Sequence, residues 1–211
     1  MKDKDYYIIV ASICFFSGFI NIITLTYFGY PISHYSGTFT SVAKYIYDIR
    51  FYKKLIELII MIFCFMGGSI FSSVISTNFQ ETNIKRYGKI IVVFGCIVLI
   101  SYFLDKTDKL FLFFLTLTMG FQNGMSIRFK GSLIRSTHMT GNLTDLGSYI
   151  GKVLKGEKDK IENIFLSALE IGQYILGGVV ALILLVFFKS YILLLYGILY
   201  ISCGLYMSSR K

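Results

Sequence analysis

Six long apolar runs dominate this chain and decide its class before any motif is weighed: residues 6–30, 55–76, 90–104, 110–127, 164–188 and 190–207. A helix needs about 20 apolar residues to cross the hydrocarbon core of a bilayer, and these runs meet or approach that length. The third is short and bounded by Lys89 and Asp105, so it must borrow flanking residues or thin the bilayer around it. Only Glu57 and Glu170 bring formal charge into the six runs. Composition agrees: 55% of the residues are apolar, 16% are charged and the mean hydropathy is +0.67, against roughly 25% charged in soluble chains. A soluble globular enzyme and a disordered chain are both excluded, because neither can carry this much apolar surface. The first run follows Met1-Lys2-Asp3-Lys4-Asp5 and begins like a signal peptide. It is too long for a signal core and lacks a small-x-small cleavage site, so it reads as a retained first span.

The net charge of +9 would suggest nucleic acid in a soluble protein. Here the basic residues lie between apolar runs, where they set orientation in a membrane, and no nucleic-acid partner is expected. Six spans put both termini on one side. With the termini cytoplasmic, 14 Lys and Arg fall on that side and 7 on the other, the bias found in cell-membrane proteins. The segment 152–162, with Lys155, Lys158 and Lys160 among Glu157 and Asp159, reads as a solvated cytoplasmic loop. Cys14, Cys64, Cys96 and Cys203 are far apart with no CxxC pair, so neither a metal site nor a disulfide framework is expected.

The chain also resembles itself. Gly18-Phe19-Ile20-Asn21 followed by Ser33-His34-Tyr35-Ser36-Gly37-Thr38-Phe39-Thr40 is echoed by Gly120-Phe121-Gln122-Asn123 and Thr137-His138-Met139-Thr140-Gly141-Asn142-Leu143-Thr144. His34 to His138, Gly37 to Gly141 and Thr40 to Thr144 are each 104 positions, and Gly18 to Gly120 is 102. A third echo pairs Met66-Gly67-Gly68 with Leu176-Gly177-Gly178 at 110. Echoes in one order indicate a duplication. Three spans per copy is an odd number, so the second copy enters the membrane from the opposite face. The expected fold is an all-α, polytopic helix bundle of about six transmembrane helices, a 3+3 inverted-topology repeat with a short polar-motif helix in each half. Residues 1–104 form the first repeat and 105–211 the second. In transporters built this way the solute site lies at the repeat interface, at helices broken near glycine.

The doubled motif has the chemistry for such a site. Ser36-Gly37-Thr38-x-Thr40 and Thr140-Gly141-Asn142-x-Thr144 precede the helix-compatible stretches 39–49 and 143–154. Ser, Thr and Asn there read as N-caps, and the first-turn N–H groups suit an anion or a polar oxygen. His34 and His138 add a hydrogen bond or a proton that titrates near neutral pH. The competing reading is that the hydroxyls only bond across the bundle. Asn21, Gln122 and Asn123 are amides inside apolar runs and should face the bundle interior. Glu170, with Gln173 nearby, is the costliest residue to bury and a functional candidate by default; Arg128, His138 or a bound proton are its candidate partners. Glu57 lies three residues into its run and reads as structural. The paired glycines read as close-packing points between helices.

At these residues the chain resembles the YoaK family of bacterial integral membrane proteins, whose function is unassigned. The resemblance rests on Gly18-Phe19-x-Asn21 with Ser33-His34-x-Ser36-Gly37-Thr38, and on Met119-Gly120-Phe121-Gln122-Asn123 through Arg128 to Thr137-x-x-Thr140-Gly141-Asn142-Leu143-Thr144. The family usually carries Asp where this chain has Asn21, and a Thr-Gly-Asn-like triplet at Ser36-Gly37-Thr38. The resemblance implies a six-span membrane protein and leaves the solute open.

The reading that follows is a secondary transporter or channel-like carrier for a small polar or anionic solute, not an enzyme, with no cofactor. Its expected partners are the lipid bilayer, the solute or ion, and a second copy of the chain. A membrane-embedded enzyme acting on a lipid or isoprenoid is the alternative, although that chemistry usually needs clustered carboxylates and only Asp145 and Glu170 lie near the motifs. A non-catalytic scaffold is the third reading. No P-loop or GxGxxG is present, so ATP-driven transport would need another subunit.

Overall fold

The computed structural model describes residues 3–75, 84–105, 109–125, 127–129 and 132–209. These form α1 (Asp3–Phe28), α2 (Tyr35–Tyr47), α3 (Tyr52–Ile75), α4 (Ile84–Asp105), α5 (Lys109–Gly124), α6 (Met139–Leu154), α7 (Ile161–Phe188) and α8 (Ile192–Ser209). One short antiparallel hairpin, β1 (Ile127–Phe129) with β2 (Ser132–Ile134), departs from an all-helical chain. Among the described residues, four helices have the length and apolarity to cross a membrane: Asp5–Phe28, Tyr52–Ile75, Lys158–Phe188 and Ile192–Ser209. Their outer faces are apolar, as in Phe63, Ile70 and Val74 on α3 and Val179, Ile183, Val186 and Phe187 on α7, all exposed. Water tolerates no such expanse on a soluble monomer; a bilayer covers it.

α1 packs along α7, α3 along α5, and α4 along α8, while the shorter α2 and α6 lie against α3 and α7. Side-chain pairs fix the directions. Tyr7 donates to Glu162 at the start of α1 and α7, and Tyr27 donates to the Lys189 carbonyl at their far end, so these two run the same way. Glu57 pairs with Lys109 at the start of α3 and α5, and Gly124 meets Ser72 near the end, so these also run together. α1 and α5 are opposed, since Phe28 meets Phe111 with rings 6.4 Å apart while Ser17 faces Met119.

Two crossings are so close that only glycine fits. A Cβ on Gly18 would strike the backbone of Tyr174, and one on Gly177 the backbone of Phe15. On the other pair, a Cβ on Gly68 would strike Leu117 and one on Gly120 would strike Phe65. Gly68 therefore plays the part of Gly177, one position off the expected alignment, and Gly67 faces open space rather than a packing contact. α4 and α8 cross in opposite directions at Gly88 with Gly204 and at Gly95 with Gly197.

α1 stops at Phe28 because Gly29 takes φ +77° and its N–H closes on the Leu25 carbonyl at 3.0 Å. Pro31, the single proline, prevents the helix from resuming. The chain then doubles back along α1 until Ser33 is clasped by Asn21, whose Nδ2 donates to Ser33 Oγ at 2.8 Å and whose Oδ1 accepts from the Ser33 N–H at 3.2 Å. From there α2 runs along α3, with Tyr35 donating to the Met61 carbonyl. After α5 the path repeats: Asn123 Nδ2 donates to Thr137 Oγ1 at 2.5 Å, and α6 sets off along α7. The core between α1 and α8 is aromatic, with Phe19, Tyr196 and Tyr200 stacked and Phe16 edge-on to Tyr200.

Candidate functional site

Both doubled-back loops end at one place. His34 and His138 are the N-cap residues of α2 and α6, each without a side-chain cap bond. These helices begin four residues before the stretches expected from the sequence, so Ser36-Gly37-Thr38 and Thr140-Gly141-Asn142 lie in the first turns instead of capping them. The reason is local. Thr38 Oγ1 donates to the His34 carbonyl and Thr40 Oγ1 to the Ser36 carbonyl, bonds available only inside a helix. Thr144 does the same with Thr140. The backbone ladder starts at Thr38 N–H to His34 O and Asn142 N–H to His138 O, leaving the N–H groups of residues 35–37 and 139–141 ahead of it.

A cavity of about 490 Å³ opens at these two starts. Its wall takes Phe65, Ser69 and Ser73 from α3 and Asn123 and Gly124 from α5. The loops add Ser33, His34, Arg135, Thr137 and His138, and the first turns add Tyr35, Ser36, Phe39, Met139 and Thr140. Among the described residues its titratable lining groups are two imidazoles, a guanidinium and a phenol, with no carboxylate. Ser73 and Gly124 lie toward the C-terminal ends of α3 and α5, the end of the bundle where α1 begins.

A second groove of about 450 Å³ lies on the opposite side of His34, between α1 and α7, lined by Gly18, Asn21, Ile22, Leu25, Pro31, Tyr174, Ile175, Gly178, Val179 and Leu182. His34 belongs to both walls, its ring 6.2 Å from that of Tyr174. The two histidines are posed differently. His138 folds over its own first turn, so that a Cβ on Gly141 would run into the imidazole, whereas Gly37 has open space above it.

Of the residues singled out from the sequence, His34, Ser36, Asn123, His138 and Thr140 line the cavity. Gly37, Thr38, Thr40, Gly141, Asn142 and Thr144 belong to the first two turns of α2 and α6 without lining it, and Asn21 faces the apolar groove. Gln122 is buried beneath the cavity, where Nε2 donates to Ser17 Oγ at 3.1 Å and Ser136 Oγ at 2.9 Å while Oε1 accepts from Tyr200. Glu170 is 4% exposed and accepts from Asn142 Nδ2. Among the described residues that amide, not a basic side chain, is its partner. The Arg128 side chain lies outside the described residues. Asn123 Oδ1 is buried with no hydrogen-bond partner among the described residues.

Sequence reasoning missed Arg135, Ser69 and Ser73. Arg135 stands three residues before His138, where the first motif has Pro31 at the same 104 spacing; that difference between the two motifs was the available signal. The two serines lie one turn apart on α3 with nothing in the chain around them to mark them.

A family model described as a protein of unknown function (DUF1275) matches residues 9–206. No curated protein and no solved structure matches. The chain belongs to the DUF1275 family, a membrane-type helical protein in keeping with its YoaK-like motifs.

Proposed function

We propose that this member of the DUF1275 family is a secondary transporter or channel-like carrier for a small polar or anionic solute, with its site at the interface of two inverted three-span repeats, residues 1–104 and 105–211. In this reading α1, α3, α4, α5, α7 and α8 are the six spans, both termini are cytoplasmic, and the solute undergoes no covalent chemistry. The helix pairing supports the repeat. Exchanging α1–α4 for α5–α8 turns the α1–α7 pair into α5–α3, α2–α3 into α6–α7, and α4–α8 into itself. The glycines follow the same exchange, since Gly68 to Gly177, Gly88 to Gly197 and Gly95 to Gly204 are each 109 apart. α1 and α5 run in opposite directions, as inversion requires.

The observation that carries the function is that His34 and His138, one from each half, line a single cavity together with the starts of two short helices. Broken helices whose N-termini converge inside a bundle are the way inverted-repeat carriers build a solute site. The part of the cavity lined by Ser73 and Gly124 lies toward the end where α1 begins, the side that the basic-residue bias assigns to the cytoplasm in this reading.

The test is solute flux into vesicles reconstituted with the full chain, comparing wild type with the H34A/H138A double variant. Saturable flux should fall at least roughly tenfold, the weight of lost hydrogen bonds to a charged or polar solute, while the variant elutes as folded protein. Equal flux in the two removes the histidines and with them this site.

A further inference from the structure

Building on that reading, we infer that the solute is a small oxyanion, a carboxylate or a phosphate-type group, and that Arg135 is the residue that recognises its charge. Among the described residues the cavity wall has no carboxylate, and the formal charge they present there is positive. Arg135 is exposed at the cavity and offers planar paired donors that match two oxygens of one anionic group. Ser69 on α3 brings a hydroxyl to a second side, and Ser73, one helical turn on, donates to the Ser69 carbonyl at 3.1 Å and can turn its proton to an anion only by giving up that bond. The starts of α2 and α6 add backbone N–H groups and the positive ends of two helix dipoles. A cation would meet repulsion from the guanidinium and from both dipoles. A neutral polyol would leave the guanidinium without a counter-charge.

The second groove sharpens the assignment. At the corresponding places it has Pro31 for Arg135, Gly178 for Ser69 and Leu182 for Ser73. The two grooves share the kind of helix crossing that frames them, so the donors on the α3 side are an addition to the frame and not a requirement of it.

The experiment measures the thermal stability of the purified full chain in phosphatidylcholine vesicles, with acetate, inorganic phosphate, glycerol or ethanolamine added in turn. It uses wild type, Arg135→Gln, Arg135→Lys and the double variant Ser69→Ala/Ser73→Ala. Acetate or phosphate should raise Tm in wild type, because a ligand that binds only the folded state stabilises it. Apparent affinity should weaken at least roughly tenfold in R135Q, as for loss of a charge-assisted bond, less in R135K, and severalfold in the serine variant. An equal anion-induced rise in wild type and R135Q overturns the assignment, as does a rise with glycerol or ethanolamine but with neither anion. A parallel set with phosphatidylglycerol identifies the source. Competition by this lipid for the Arg135-dependent rise assigns the oxyanion to a headgroup, and its absence assigns a soluble anion; both support the charge chemistry. Flux separates this inference from the carrier reading. Arg135-dependent binding without flux overturns the carrier and keeps the anion site, while saturable flux of glycerol or ethanolamine unaffected by R135Q keeps the carrier and overturns the anion.

Discussion

On the α3–α5 side of His34 the wall carries Ser69, Ser73, Asn123 and Arg135; on the α1–α7 side the corresponding residues are Gly178, Leu182, Asn21 and Pro31. Both walls hang on a glycine crossing in which each helix touches the other's backbone, Gly120 with Phe65 and Gly18 with Tyr174. Frame and chemistry are thus separable. The crossings demand small residues at a few positions and leave the residues lining the grooves free to diverge. Even the shared asparagine differs: Asn21 is fully engaged by Ser33 and the Ser17 carbonyl, whereas Asn123 keeps a buried Oδ1 without a partner among the described residues.

The frame can be broken most severely at the crossings. Gly120→Ala and Gly18→Ala each drive a methyl into backbone that cannot swing aside, and should cost about 3 kcal/mol or more, the upper end of overpacking. Fluorescence-detected gel filtration after heating should show both variants losing folded protein well below wild type. Gly67→Ala, next to the crossing glycine Gly68 on α3 but facing open space, should stay within about 0.5 kcal/mol. A tolerated G18A beside a failing G120A would dissolve the equivalence of the two crossings.

The chemistry is broken by making one wall resemble the other. Ser73→Leu puts a bulky apolar side chain into the polar wall and should reduce flux severalfold, with Tm unchanged. Leu182→Ser on the apolar wall should leave flux as it was. Flux lost in both would mean that the solute passes along both grooves.

Smaller effects compare the half-length helices. Asn142→Ala strips the buried Glu170 carboxyl of its donor and should cost about 1–3 kcal/mol in denaturant unfolding. Thr38→Ala, at the matching place on α2, removes only a bond to its own turn and should cost about 0.5 kcal/mol. The clasps differ on the same scale: Asn21→Ala should exceed Asn123→Ala by about 1 kcal/mol in the same denaturant unfolding, since the first residue makes more hydrogen bonds.

Much of this architecture was readable from the chain because it rests on one-dimensional signals. The apolar runs mark the long helices, and the doubled Gly-Phe-x-Asn and His-x-x-Gly spacing anticipates the two loops that meet. Errors arose where three-dimensional closure decides between local options. Ser36 and Thr140 look like caps in sequence, but a hydroxyl inside the first turn can bond the carbonyl four residues back, so the helices start at their histidines' next neighbours. Arg135 drew no notice as a site residue, since the sequence does not reveal that the segment holding it folds back beside α5. Glu170 was conspicuous by its cost, but its amide partner 28 positions earlier becomes a neighbour only once α6 lies on α7.

Gln122 holds α1 through Ser17, the loop before α6 through Ser136, and α8 through Tyr200. A side chain knotted to three segments cannot let any of them slide past the others without leaving its amide unsatisfied in a dry interior. On the proposed carrier reading, any rocking of the bundle swings around this knot as a door swings on its pin, with the travel at the rims and stillness at the centre.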